Sequence, residues 1–513
     1  MELNKEYTRA RHLSVEGIQS SADYTLPDYQ GDVRKILYSS ASVEDGGKFQ
    51  NADSLEFVGS VSYKIVYLDA DGKITPVSFN SDYEFSTKCH AESYVDADAV
   101  SRVANFSLRL MGPRRFSVKC AIEADVSVAE RAEYRVEGAE GELECREAKV
   151  EVATAAFGKG GEIEYAEELA HLGDSIVDEV EILFYSAEPA AVSAVRTEDG
   201  VSVKGQILAR ALIAVRDEMP RIYESVIELS DTIAMPDISA AAVLVPRINI
   251  LSEGVSANPS EDGVSVVMSL ICEATVRALV NSEVSVLKDC FSTQRALKVT
   301  EGEFVYTEHI GTKPVCERFS ASIARADAGA ESIRNVLFES ARVKLERVEP
   351  SAESVALSGA VQVSGVACEI AEDGTPGYSP LRFETDFAIN VNINSQIPEN
   401  CRCCTRILLE APHVDVDDGE LRISGNLVGE VTVLAEHKER VVGAVSLLDE
   451  RFERSGSTVS VYYPTAGESL FDVAKSFHIS SMEIARANEL SEAVCTKPYS
   501  SLSASGVDYL LIK

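Results

Sequence analysis

Thiols and imidazoles have the widest chemical range of any side chains, and this chain holds 11 Cys and seven His. The densest group is Cys401-Arg402-Cys403-Cys404. Closely spaced thiolates suit zinc, but a structural zinc site takes four ligands, commonly two pairs. No second pair stands at that spacing, and the nearest downstream imidazole is His413. The segment reads as a loop after Pro398 with incidental thiols, and no metal is expected. Cys89-His90 sets a thiol beside an imidazole, the two groups of a cysteine nucleophile. Neighbours on a strand point to opposite faces, so this pair does not converge. The other His are scattered, and most other cysteines lie singly in apolar or mixed stretches, as reduced core thiols do.

Other catalytic patterns are missing from the sequence. There is no Gly-x-x-x-x-Gly-Lys-Ser/Thr phosphate loop, no Gly-x-Ser-x-Gly elbow and no His-Glu-x-x-His. With 83 Asp and Glu, paired carboxylates occur throughout and single out no glycosidase centre. The expectation is a protein that is not an enzyme and holds no cofactor. Met111-Gly112-Pro113-Arg114-Arg115 is a basic spot in an acidic chain. It reads as a hairpin turn with solvated arginines, or as a docking contact for an acidic partner.

The net charge of −35 argues against nucleic acid or an anionic bilayer as the main partner. No apolar run reaches the ~20 residues of a membrane-spanning helix. The N-terminus, MELNKEYTRARHLSVEG, has no apolar stretch of the signal-peptide kind. A length of 513 residues with 45% hydrophobic residues is enough for several buried cores.

The elements that position these residues recur along the chain. GDVRKIL (31–37), DSIVDEVEIL (174–183) and AESIRNVL (330–337) are each followed by a glycine that opens an alternating strand. Leu37 to Gly59, Leu183 to Gly205 and Leu337 to Gly359 are each 22 residues. After the glycine, Val61, Tyr63, Ile65 and Tyr67 share one strand face in the first copy. Ile207, Ala209, Ala211, Ile213 and Val215 share it in the second, and Val361 and Val363 in the third. Asp71-Gly72 and Asp373-Gly374 mark hairpin turns. Later stretches of each copy are rich in Val, Ile, Thr and Ser, with regular Gly, Pro or Asp breaks, as in antiparallel sandwiches.

The tail changes pattern to short strand, helix, helix, short strand. Leu470, Val473, Ala474 and Phe477 follow helical spacing. Ser469 with Asp472, and Ser480 with Glu483, form capping-box patterns. Ile479 can staple the second helix, with Ile484 and Ala487 facing inward. The fold expected is mainly β, three antiparallel β-rich repeats plus a small α+β C-terminal domain. The boundaries expected are 1–150, 151–300, 301–454 and 455–513.

The tail resembles a LysM domain. Tyr462-Tyr463-Pro464-Thr465-Ala466-Gly467-Glu468-Ser469-Leu470, Ala474, Ile479-Ser480-Ser481-Met482-Glu483-Ile484, Asn488-Glu489-Leu490 and the closing Gly506-Val507-Asp508-Tyr509-Leu510-Leu511-Ile512 carry the likeness. Pro464 replaces the family's Val, and Glu468-Ser469 replaces Asp-Thr. The resemblance implies binding of N-acetylglucosamine polymers in a groove, here at Gly467, Glu468, Ser469, Leu470 and Asn488, with the 491–505 loop as its other wall. Asn488 equally suits a helix C-cap. The upstream copies are similar to the SPOCS domain of SipL-like spore-coat morphogenetic proteins. Leu26-Pro27-Asp28 with Asp32-Val33-Arg34-Lys35-Ile36-Leu37, the Gly59 strand and Phe79 to Phe85 carry that likeness. It implies a non-enzymatic scaffold or adaptor of the endospore coat, in the mother-cell cytoplasm at the forespore surface. Its implied partners are a coat basement-layer protein of ATPase type, peptidoglycan, or both. The alternative is a vegetative cell-envelope protein that binds peptidoglycan.

Overall fold

Runs of β-branched and aromatic residues alternate with polar ones and end at Gly, Pro or Asp, so the chain folds as long antiparallel strands. The computed structural model describes residues 4–138, 142–173, 176–216, 218–370, 376–417, 419–452, 459–491 and 500–512. The first copy comprises β1 (Lys5–Thr25), β2 (Val33–Gln50), β3 (Ser54–Asp69), β4 (Ile74–Lys88), β5 (Tyr94–Gly112) and β6 (Arg115–Tyr134). The second comprises β7 (Glu144–Gly173), β8 (Val180–Arg196), β9 (Gly200–Val215), β10 (Arg221–Ala234), β11 (Val243–Ser260) and β12 (Gly263–Phe291). The third comprises β13 (Arg295–Ala324), β14 (Ile333–Pro350), β15 (Ser354–Ile370), β16 (Pro376–Asn392), β17 (Cys401–Val416) and β18 (Glu420–Arg451). In every copy strands two to four form one three-stranded meander, and the first strand returns to pair with the sixth in a second sheet, giving β1-β6-β5, β7-β12-β11 and β13-β18-β17.

The two sheets of a copy pack face to face as a sandwich. Val61 and Tyr63 meet Ile122 and Ala124 in the first, and Ile207 and Ala209 meet Val266 and Met268 in the second. Val361 and Val363 meet Leu421 and Ile423 in the third. The expected strand faces are those that bury, except that Val215 at the end of the second is half-buried. The hairpin register explains the 22-residue spacing. Leu37, Leu183 and Leu337 each sit at a β-bulge of the meander's first strand, skipped between Ile36 and Tyr38, Ile182 and Phe184, Val336 and Phe338. Gly59, Gly205 and Gly359 lie opposite a second bulge on the same strand, near Asp45, Ala190 and Leu345. A Cβ on Gly359 would stand 2.1 Å from the Lys344 carbonyl oxygen, and one on Gly59 2.5 Å from that of Glu44. Only glycine admits so close a backbone approach.

The first bulge turns the next side chain to the back of the sheet, where the copies meet. Tyr38, Phe184 and Phe338, one from each copy, form a single buried cluster with Leu37, Leu183 and Leu337. Phe184 and Phe338 stack with centroids 4.3 Å apart, and Tyr38 meets them edge-on at 5.4 and 4.9 Å. The fourth strand of each copy touches the second strand of the next, β4 on β8, β10 on β14 and β16 on β2. The last contact returns to the start, so the three sandwiches close a ring with pseudo-threefold symmetry. At the other end of the ring a second shared core joins Tyr134, Val152, Val286, Phe304 and Val442. The Tyr134 hydroxyl donates to the Val442 carbonyl at 2.8 Å.

Polar residues between these cores bridge neighbouring copies. Arg277 donates to Ser127 at 3.0 Å, and Arg247 pairs with Asp98 at 2.8 Å. Asn281 exchanges two 2.9 Å hydrogen bonds with the His309 backbone. Cys401-Arg402-Cys403-Cys404 is the opening of strand β17, not the loop expected after Pro398, because its residues pair with Thr432 to Ala435 on β18. Cys89-His90 lies in the turn between β4 and β5 rather than on a strand. Asp373-Gly374 lies outside the described residues. Among the described residues no helix is long and apolar enough to cross a membrane.

Candidate ligand groove of the terminal unit

After β18 the chain forms β19 (Ser460–Tyr462), α1 (Leu470–Phe477), α2 (Ser481–Ala487) and β20 (Leu510–Ile512), with β19 and β20 antiparallel. The capping box at α1 forms as its sequence requires. The Asp472 amide donates to Ser469 Oγ at 3.3 Å, and the Ser469 amide donates to Asp472 Oδ2 at 3.0 Å. At α2 the Ser480 hydroxyl instead accepts from the Met482 amide at 3.3 Å and donates to Glu144 of the second copy at 2.7 Å. Leu470, Val473, Ala474, Ile484 and Ala485 are buried, while Phe477 is on the rim at 37% exposure with its ring edge-on to Tyr462.

The five residues assigned to a groove divide into two groups. Gly467 is exposed, has φ of 90°, and a Cβ there would meet nothing within 4 Å. Glu468 is half-buried and organises the strand–helix loop. It accepts from the Tyr462 hydroxyl at 2.8 and 2.9 Å, from the Thr465 amide at 2.8 Å and from the Thr465 hydroxyl at 3.1 Å. Burial works to raise its carboxyl, but these hydrogen bonds outweigh it and hold the pKa below the ordinary carboxylate value. Ser469 and Leu470 are buried, the first spent on the cap and the second on the core. Asn488 ends α2 as its C-cap. Its amide donates to the carbonyls of Ile484 at 2.9 Å and Leu511 at 2.8 Å, and its oxygen accepts from the Leu511 amide. Asn488 thus ties α2 to the last strand. Ser469 forms an isolated antiparallel bridge with Ser501. Residues 492–499 of the expected second wall lie outside the described residues.

The sequence reading missed the surface this unit rests on. Its helix α1 sits mainly on β7 and β12 of the second copy, and at the end of α1 the His478 ring stacks at 3.6 Å on Phe452, just after β18. Phe471 meets Phe291 edge-on at 5.2 Å, and Arg146 pairs with Asp472 at 3.2 Å. Lys475 pairs with Asp289 at 2.6 Å. Burial works to raise the Asp472 carboxyl, but the Ser469 hydrogen bonds and Arg146 hold it below its ordinary value. Phe471 is therefore a docking anchor. The unit also shows Tyr463 and Tyr509, both more than half exposed, with ring centroids 6.4 Å apart.

The other chemically suggestive residues are absorbed by the fold. Burial, then neighbouring Cys401, pushes the Cys403 thiol up to about 12, the reverse of what a metal thiolate or nucleophile needs. Among the described residues no three His, Cys, Asp or Glu stand together to hold a metal. His90 pairs with Asp53 at 2.8 Å while Cys89 is buried. Met111 to Arg115 is the β5–β6 hairpin turn, but Arg114 is not solvated. It reaches into the β1–β2 loop, donating to the carbonyls of Pro27 at 2.7 Å and Gln30 at 3.0 Å and pairing with Asp32 at 3.0 Å. The Leu26-Pro27-Asp28…Asp32 motif is the cage around this guanidinium. Compared with known protein families, curated proteins and solved structures, the chain has no match.

Proposed function

We propose that this protein is a non-enzymatic scaffold or adaptor in endospore coat assembly, acting in the mother cell at the forespore surface. Its terminal unit would dock it on a coat basement-layer protein of ATPase type or on peptidoglycan. The observation that supports this reading is the closed ring of three sandwiches with the terminal unit fixed to the second copy by Phe291, Arg146 and Asp289. Such a body presents several protein faces at set distances, which is what an adaptor between two layers requires. The SPOCS-like and LysM-like motifs supply the setting. A fluorescent fusion followed through sporulation tests it. A rim around the forespore is the expected result, and a diffuse or septal signal in growing cells would overturn it.

The exposed Tyr463 and Tyr509 rings favour a second reading, a cell-envelope protein that binds N-acetylglucosamine polymers. Amphipathic rings with a wet face suit contacts of this kind. Co-sedimentation of the whole chain with insoluble N-acetylglucosamine polymer, lost in Tyr463→Ala, would support this reading. Absence of co-sedimentation would leave the unit as a protein-docking module.

A further inference from the structure

The three copies share one architecture, so their equivalent tips can be compared directly. Each sandwich ends in a loop between its first and second strands, lying against the hairpin between its fifth and sixth. In the first copy these segments, 23–35 and 109–118, carry five Arg or Lys against three Asp. In the second, the described residues of 171–182 and 257–266 carry five Asp or Glu and no Arg or Lys. In the third, the described residues of 322–335 and 414–423 carry five acidic residues against three basic. The first tip is the basic one in a chain of net charge −35.

It is also the tip that exposes large side chains on both segments. Tyr29 is 86% exposed, Met111 65% and Leu110 41%. The second tip exposes Ile176 and Val177 on its loop, but its hairpin turn is Glu261-Asp262. Among the described residues the third tip exposes no large hydrophobic side chain. The Tyr29 loop is held in place. Arg114 ties it at Pro27, Gln30 and Asp32, the Leu26 amide donates to the Arg114 carbonyl at 2.8 Å, and the Tyr67 hydroxyl donates to the Gly31 carbonyl at 3.2 Å. Little ordering entropy remains to be lost on binding, and aromatic, Met and Arg side chains are those enriched at interface centres.

We propose that the first-copy tip, built from Tyr29, Leu110, Met111 and the surrounding arginines, is a docking surface for an acidic, amphipathic segment of a partner protein. Charge complementarity selects the occupant. Arg109 favours carboxylates, and Arg115 does so by exchanging its exposed pair with Asp23, while Tyr29 and Met111 take the apolar side chains between them. The two other tips repel the same ligand, so the first copy engages and the others space it. The inference rests on the scaffold reading for its supposition of a protein partner.

A photo-crosslinking phenylalanine analogue introduced at position 29 of the full chain tests it, with the same analogue at Ile176 and Asp327 as controls. The probe is used in sporulating cells and the crosslinked peptide is read by mass spectrometry. The expected product is a peptide of another protein with more Asp and Glu than Lys and Arg and at least one large apolar residue. Its yield should exceed both controls at least fivefold and fall at least fivefold in Met111→Lys, with an unchanged melting temperature. A basic peptide, another copy of this chain, equal yield at the three positions or no product would each overturn the proposal. Forespore-rim localisation without the crosslink defeats the tip alone. The crosslink with diffuse localisation defeats the spore-coat address alone.

Discussion

Arg114 shows how a residue that looks free in a sequence can be structural. Its side chain lies two-thirds out of solvent among carbonyl oxygens and Asp32, whereas neighbouring Arg115 makes an exposed pair with Asp23. Hydrogen bonds from a charged group to otherwise unpaired acceptors contribute ~2 kcal/mol, and exposed ion pairs contribute under ~1 kcal/mol. Arg114→Ala should therefore lower the thermal midpoint by several degrees, and Arg115→Ala should leave it almost unchanged, as read by calorimetry. His12 makes a second residue-scale prediction. Burial, then Arg277, Arg402 and His309, lowers its pKa to about 3, while its Nδ1 is 2.8 Å from the Ser127 hydroxyl. The folded state keeps this ring neutral and the unfolded state protonates it near pH 6.5, so its contribution is complete above that pH. It is lost as pH falls towards 3. The loss is ~2 kcal/mol by pH 5. Urea midpoints at pH 7.5 and 5.0 should diverge in the wild type and converge partly in His12→Asn.

At the scale of elements, the paired bulges of β2, β8 and β14 do most to shape the molecule. One bulge sends Tyr38, Phe184 or Phe338 to the ring axis, and the other lies opposite a glycine whose Cβ would meet a bulge carbonyl in the first and third copies and Ile248 Cδ1 in the second. Gly359→Ala would press a Cβ into the Lys344 carbonyl, a backbone atom that cannot step aside. Overpacking of this kind costs ~1–3 kcal/mol. Gly161→Ala, where a Cβ would meet nothing within 4 Å, should be neutral or slightly stabilising. Thermal unfolding of the two variants side by side distinguishes a bulge requirement from a general intolerance of change. The alternation of buried and exposed residues was legible in the sequence because it is fixed by the pleat of the strand itself. The bulges were not, since one extra residue alters pairing without altering composition.

Across the whole molecule, ring closure concentrates stability at the axis. Phe338→Ala removes a fully enclosed ring that touches both other copies, at a cost of ~3–5 kcal/mol. Its effect should spread to all three copies. Hydrogen exchange should therefore accelerate in β3 and β9 as well as in β15. The terminal unit behaves differently, because it is held by two aromatic contacts, Phe471 on Phe291 and His478 on Phe452, two ion pairs and the Ser480–Glu144 hydrogen bond. Phe291→Ala with Lys475→Glu should speed amide exchange in α1 while leaving the ring strands unchanged.

The sequence alone determined the mainly β character, the threefold repetition, the strand faces, the α1 cap and the βααβ order of the tail. Each depends on residues within a few positions of one another, through the period of two along a strand, the capping geometry of a helix end or the residues a tight turn requires. The tertiary structure decided that the repeats close on themselves and that the tail returns to the second copy. It also decided that Ser469, Leu470 and Asn488 face inward, leaving Gly467 open. These outcomes depend on surfaces brought together over long separations, such as Tyr38 with Ser340 across 302 residues and Ser480 with Glu144 across 336. Such pairs leave no spacing to read, because burial and shape select them only after the local elements exist.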